Sequence, residues 1–173
     1  MTPILTRCIE SICSERDSGW NETFDVVDQL VKDYGEERLA NRVVEEVPRT
    51  VPFEVVADLL SILIWSTSDN GCSITNSANL WLRDQTDTRK VLIALNLEVI
   101  PFSSEDEAKQ VLMPLMKSNH LAYAHCSRIL RFFENSEVEH RQTTAKVRDG
   151  SGAACRASDD LSSSTTCYAD STG

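Results

Sequence analysis

The sequence lacks the short motifs that mark common catalytic and cofactor sites. It has no HExxH, GxSxG, GxGxxG, CxxC or phosphate-binding P-loop pattern. The glycines at 150 and 152 follow no predicted strand, so they do not form a phosphate-binding loop. We therefore expect a protein that is not an enzyme and that binds no cofactor.

Basic clusters and long apolar runs are missing as well. The chain has 17 Lys and Arg against 27 Asp and Glu, a net charge of −10, whereas nucleic-acid binding requires clustered cations. The longest apolar segment, residues 59–65, is far shorter than the roughly 20 residues that span a bilayer. No signal peptide is recognisable at the N-terminus. These features predict a cytoplasmic protein that binds neither nucleic acid nor membrane.

The few histidines and cysteines do not predict a metal site. His120 and His125 are five positions apart, whereas helical metal pairs use a spacing of three or four. Six cysteines in a chain without an export signal favour thiols over a disulfide framework. Cys8, Cys13 and Cys126 fall on apolar helical faces, so we expect them to be structural.

What the sequence does contain is helical periodicity, from residue 3 to residue 134. It predicts an all-α fold of about eight helices, with hairpins at 21–47, 52–84 and 88–117 stacked in a bundle or a short HEAT-like solenoid. The helix at 53–65 has almost no polar face and is predicted to be central. Residues 1–134 are predicted to form one domain, 135–148 a charged helix extension or linker, and 149–173 a disordered tail rich in Ser, Thr and Gly.

Several helix boundaries carry recognisable signals. Ser104 followed by Glu107 forms a capping box, and Asp87 is predicted to cap the helix that follows it. Gly35 suits the left-handed residue that ends a helix, whereas Pro114 is predicted to kink or end one.

Negative charge is concentrated in the first third of the chain. Residues 1–58 hold 13 Asp and Glu against 6 Lys and Arg, whereas residues 59–134 hold 8 against 7. Such a surface either serves solubility or attracts a basic partner. If it binds a partner, the candidate residues are Trp20, Glu22, Asp25, Asp28, Asp33, Glu36 and Glu37.

A second candidate site is the loop that follows the apolar helix. Trp65 either packs in the core or lines a concave pocket with Asp69 and Asn70. In the second case the protein is an enzyme or a small-ligand binder, although no nucleophile or base pair is recognisable there.

Two stretches, residues 58–71 and 89–102, resemble small bacterial proteins from toxin and immunity loci. The resemblance covers residues 20–133 and implies a short, acidic, helical, cytoplasmic inhibitor. We therefore expect a non-enzymatic protein-binding module, specifically an immunity-type inhibitor whose acidic surface neutralises a basic, toxin-like protein partner. The alternative is a helical-repeat scaffold or adaptor that binds a peptide or helix along a concave surface.

Overall fold

A computed structural model describes residues 1–15, 21–133 and 135, with the side chains of positions 21 and 22 left out. Within these residues the chain forms eight α-helices and no β-strand, which confirms the all-α prediction. Their bounds are α1 Pro3–Glu15, α2 Asn21–Tyr34, α3 Leu39–Glu46, α4 Phe53–Ser66, α5 Cys72–Asp84, α6 Thr88–Leu95, α7 Glu105–Ser118 and α8 at residues 123–133.

Residues Met1–Phe133 form one compact unit with a continuous apolar core. The predicted linker and tail lie outside the described residues, apart from position 135. None of the helices in the described part of the chain is both long and apolar enough to cross a bilayer.

Helix α4 is the centre of this unit, as its composition predicted. Nine consecutive or nearly consecutive positions between Val55 and Ile64 are buried. The helix packs against α1, α2, α5 and α6. In a solenoid each repeat contacts only its neighbours. Here one apolar helix packs against four others, which is the arrangement of a helical bundle.

Of the three predicted hairpins, the one at 52–84 is present as packing of α4 against α5, whereas α2 with α3 and α6 with α7 are not among the helix pairs that pack extensively. The most extensive packing joins α1 to α2 and α5 to α6, while α3 packs against α5. The α1–α2 hairpin is tied at both ends. At one end Thr2 is hydrogen-bonded to the Tyr34 hydroxyl at 2.7 Å, and at the other the Glu15 carboxylate accepts bonds from the Thr23 backbone and hydroxyl. Pairing therefore follows these contacts between distant residues, which local periodicity does not reveal.

Most predicted helix boundaries are confirmed. Asp87 caps α6 by accepting bonds from the backbone N–H groups of Arg89 and Lys90. Ser104 caps α7 by accepting a bond from the Glu107 backbone. Gly35 adopts a φ of 69°, as a helix-ending residue should.

Helices α3 and α7 each have an irregular feature. Helix α3 begins at Leu39, because residues 36–38 form a turn in which Arg38 adopts a left-handed conformation. Helix α7 continues through Pro114 to Ser118. Of the two outcomes predicted for Pro114, ending the helix is therefore wrong.

A polar cluster around Glu107 joins α5 to α7. The Glu107 carboxylate accepts bonds from the Ser103 backbone and hydroxyl at 2.9 and 2.7 Å. It also accepts bonds from Asn79 at 3.3 Å and Arg83 at 2.5 Å. Burial alone raises the pKa of Glu107, but these donors outweigh it and lower the pKa from 4.5 to about 2.

The low pKa of Glu107 predicts a specific acid sensitivity. Because the folded pKa lies below the unfolded one, the carboxylate stabilises the fold above pH 4.5, and this contribution disappears as the pH falls towards 2. We expect Glu107→Gln to lower the free energy of unfolding by about 2 kcal/mol at neutral pH. Urea unfolding of both proteins across this pH range should show that the difference between their free energies of unfolding becomes smaller as the pH falls. A difference that does not depend on pH would contradict the prediction.

Candidate functional site

The outer face of α2 carries the acidic residues of the first candidate site. Thr23, Val27, Leu30 and Tyr34 are buried on one side of this helix. At 100° per residue, the exposed side chains of Asp25 and Asp28 lie on the opposite side, and the exposed Asp33 lies about 90° round the helix from the buried side. The predicted solvent-facing acidic stripe is therefore present on α2.

The carboxylates of this stripe are not neutralised inside the described part of the chain. Asp25, Asp28, Asp33 and Glu37 are exposed, and none of them is in an ion pair there. Asp33 accepts one hydrogen bond, from the neutral Gln29 side chain at 2.8 Å. Lys32, which is also exposed on α2, offsets part of this negative charge but forms no ion pair with these residues.

Carboxylates elsewhere in the bundle behave differently, because several of them pair with cations. Ion pairs among the described residues include Arg49 with Asp87, Arg83 with Glu107, Lys90 with Glu45, and Lys109 with Glu105. The charge asymmetry seen in the sequence thus becomes sharper in the fold. The excess of negative charge is exposed on α2 and on the turn after it.

Glu36 links two loops of the bundle by hydrogen bonds that its sequence context did not predict. Its carboxylate accepts bonds from the Ser68 backbone at 2.8 Å and the Ser68 hydroxyl at 2.6 Å. These bonds hold the α4–α5 loop against the turn between α2 and α3. The first candidate site therefore meets the second candidate site at this end of the bundle.

Two predicted residues of the first candidate site are not described. They are Trp20 and the side chain of Glu22, which lie outside the described residues. Phe24, an aromatic residue of α2, is 39% exposed one helical turn before Asp28. The sequence feature that indicates this exposure is the angular position of Phe24, about 90° round the helix from the middle of the apolar stripe of α2.

Trp65 does not pack in the core. Its side chain is 72% exposed at the last turn of α4, directly after the buried Ile64. Trp81 contrasts with it, because its side chain is only 7% exposed. The Trp81 indole donates a bond to Asn41 at 3.1 Å, and Lys90 lies 5.7 Å from its ring centre.

The polar residues after Trp65 build the start of α5. The Asp69 carboxylate accepts bonds from the Gly71 backbone at 2.9 Å and the Ser73 backbone at 2.8 Å, and also from the Ser73 hydroxyl. Burial raises the pKa of Asp69, but the donors at Ser73, Thr67 and Gly71 outweigh it and lower the pKa overall. Asn70 adopts a left-handed φ of 51°. The predicted pocket residues therefore form a tight turn beside an exposed indole.

Two clefts occur elsewhere on the bundle. One of about 400 Å³ lies between the α5–α6 turn and the end of α7, with Val91 and Leu115 among its lining. The other, of about 240 Å³, lies between residues 96–100 and α8, with Ile129 and Phe132 among its lining. Trp65, Asp69 and Asn70 line neither cleft.

The histidines and thiols are dispersed. Among the described residues no group of three His, Cys, Asp or Glu is arranged to hold a metal ion. Burial lowers the pKa of the half-buried His125, with help from Arg128 and against the effect of Glu54. Burial also raises the pKa of the Cys8 and Cys126 thiols to about 11. Cys13 is exposed, so the prediction that it packs on an apolar face was wrong.

Comparison with known proteins adds no assignment. No protein-family model, no curated protein and no solved structure matches this chain.

Proposed function

We propose that this chain is a non-enzymatic protein-binding module whose partner is a basic protein. The observation that carries the proposal is the set of exposed carboxylates at Asp25, Asp28, Asp33 and Glu37, none of which is in an ion pair within the described residues. An excess of negative charge on one face attracts a cationic partner, raises the encounter rate and rejects acidic proteins.

The specific form of this function is that of an immunity-type inhibitor, which neutralises a bacterial toxin in the cytoplasm. The resemblance of residues 58–71 and 89–102 to proteins of toxin and immunity loci supports this form. An acidic inhibitor is suited to a toxin whose active region is basic, because it offers charge complementarity across the contact. Protection of cells against the product of a neighbouring toxin-like gene tests this part directly.

The acidic face is tested by charge reversal on α2. The chain is used as bait in its source cell, and association with the captured basic protein is measured by stopped flow. We expect Asp25→Lys with Asp28→Lys to slow association about tenfold at low salt, with little change in the dissociation rate. Glu36 is left unchanged, because its carboxylate holds Ser68.

A matched variant separates the position of the charge from its amount. Asp84 and Asp106 are also exposed, but lie on α5 and α7. Reversing both to lysine changes the net charge equally and should alter the association rate by about twofold at most. Equal slowing by the two double variants, or a partner without basic character, would refute the proposed surface.

A further inference from the structure

The larger of the two clefts described above lies where the α5–α6 turn meets the end of α7. Its volume of about 400 Å³ falls within the range of small-ligand sites, which is roughly 300–1,000 Å³. The cleft beside α8, with about 240 Å³, lies below that range. Size therefore favours the larger cleft as a site for a small molecule.

The lining of this cleft combines apolar and polar side chains. Val91 and Leu115 are almost completely buried and supply apolar surface. Gln85, Thr88 and His120 also line the cleft, and the side chains of these three residues form no hydrogen bond or ion pair within the described residues. An apolar surface with a few polar groups that have no protein partner is the usual composition of a ligand site.

Gln85 reaches the cleft from an unfavourable backbone conformation. Its φ of 56° is left-handed, and its backbone N–H donates to the Trp81 carbonyl at 3.1 Å where α5 ends. Glycine would end the helix here without the steric cost that a Cβ atom brings. Backbone strain of this kind is concentrated at functional sites. The glutamine places an amide group at the cleft that glycine could not supply.

The lining favours an uncharged ligand that both donates and accepts hydrogen bonds. Among the described residues, no Asp, Glu, Lys or Arg lines the cleft, so a charged ligand would lose hydration without gaining a counter-charge. An amide, a hydroxyl and a neutral imidazole each contain a donor and an acceptor, as the hydroxyl groups of a ligand do. No aromatic side chain of the described residues lines the cleft, so it lacks the platform on which a nucleobase stacks.

We propose that this cleft binds a small uncharged molecule rich in hydroxyl groups, of the sugar class. Gln85, Thr88 and His120 exchange hydrogen bonds with its hydroxyl groups, while C–H groups of its ring contact Val91 and Leu115. This role goes beyond the proposed function, because none of the residues that line the cleft belongs to α2.

The probes are glucose, galactose and mannose, each titrated into the full chain while the backbone amide signals are followed by NMR. We expect at least one sugar to give saturable shifts at the α5–α6 turn and at the end of α7. The uronic acid of that sugar, which carries a carboxylate in place of one hydroxymethyl group, should bind about fivefold more weakly.

Two variants test the polar side chains of the cleft. Gln85→Gly removes the amide and also relieves the left-handed strain, so the midpoint of thermal unfolding should not fall. The affinity for the sugar should nevertheless drop about tenfold. Thr88→Val removes the hydroxyl with little change of shape and should weaken binding about fivefold. Gln110→Ala is the matched control, because Gln110 is exposed on α7 outside the cleft, and it should leave binding unchanged.

Several outcomes would overturn the inference. They are the absence of saturable shifts with all three sugars, shifts confined to residues outside the cleft, and an unchanged affinity in Gln85→Gly. Equal binding of the sugar and its uronic acid would contradict the uncharged class of ligand. Asp25→Lys with Asp28→Lys should leave the sugar titration unchanged, so this test is independent of the proposed acidic face.

Discussion

Replacing Gly71 with alanine is expected to lower the free energy of unfolding by about 3 kcal/mol. Gly71 has a φ of 75°, a left-handed conformation that costs any residue with a Cβ atom. An added Cβ would also lie 2.5 Å from Cγ2 and 2.8 Å from Cβ of Ile64. Ile64 is buried in the central helix, so it cannot swing away without disturbing the core.

Gly35 isolates the steric part of this effect. It has a similar φ of 69°, but an added Cβ there would meet no atom within 4 Å. Gly35→Ala should therefore cost about 1 kcal/mol or less, because the strain is partly offset by the smaller entropy of the unfolded chain. Urea unfolding followed by far-UV circular dichroism measures both variants. Equal losses would mean that the contact with Ile64 is not the cause.

Replacing Arg89 with alanine is expected to cost a similar amount, about 3 kcal/mol. The Arg89 guanidinium donates to three backbone carbonyls between α3 and α4. The acceptors are the oxygens of Val47 at 3.0 Å, Pro48 at 3.1 Å and Val51 at 3.0 Å. Removing the guanidinium leaves these carbonyls without their charged donor, and it loosens the link between α3 and α6.

Arg49 and a lysine substitution provide the controls for Arg89. Arg49 forms an ion pair with Asp87 at 2.8 Å, but its side chain is 75% exposed. Arg49→Ala should therefore cost about 0.5 kcal/mol or less. Arg89→Lys keeps the charge but cannot reproduce the fixed fork of donors, so it should recover only a small part of the loss. Full recovery by lysine, measured by the same unfolding experiment, would show that charge alone explains the effect.

The loss of stability expected for Gly71→Ala and Arg89→Ala makes these variants unsuitable for the binding experiments. Gly71 and Arg89 hold the α4–α5 loop and the α3–α4 connection, so changing either perturbs the scaffold on which both candidate surfaces depend. Asp25, Asp28 and Trp65 are exposed, and changing them leaves the core intact. A binding defect in the second group is therefore a property of the surface.

The exposure of the acidic residues on α2 could be predicted from the sequence, whereas the contact made by Glu36 could not. The outward direction of Asp25, Asp28 and Asp33 followed from the helical period of α2 alone, and the structure places them so. Glu36 was grouped with them because it is acidic and adjacent. Only the fold reveals that its carboxylate binds Ser68, which lies 32 positions further along the chain.

The helical elements, the burial of α4 and the caps at Asp87 and Ser104 could be predicted from local sequence patterns, because periodicity and capping depend on residues within a few positions of one another. The tertiary structure alone decided that α1 pairs with α2, that Arg89 holds the backbone before α4, and that Trp65 faces solvent. Each of these outcomes depends on which distant segment covers a given side of a helix. An apolar helix such as α4 can be covered on any side, so its own residues do not specify which side stays open.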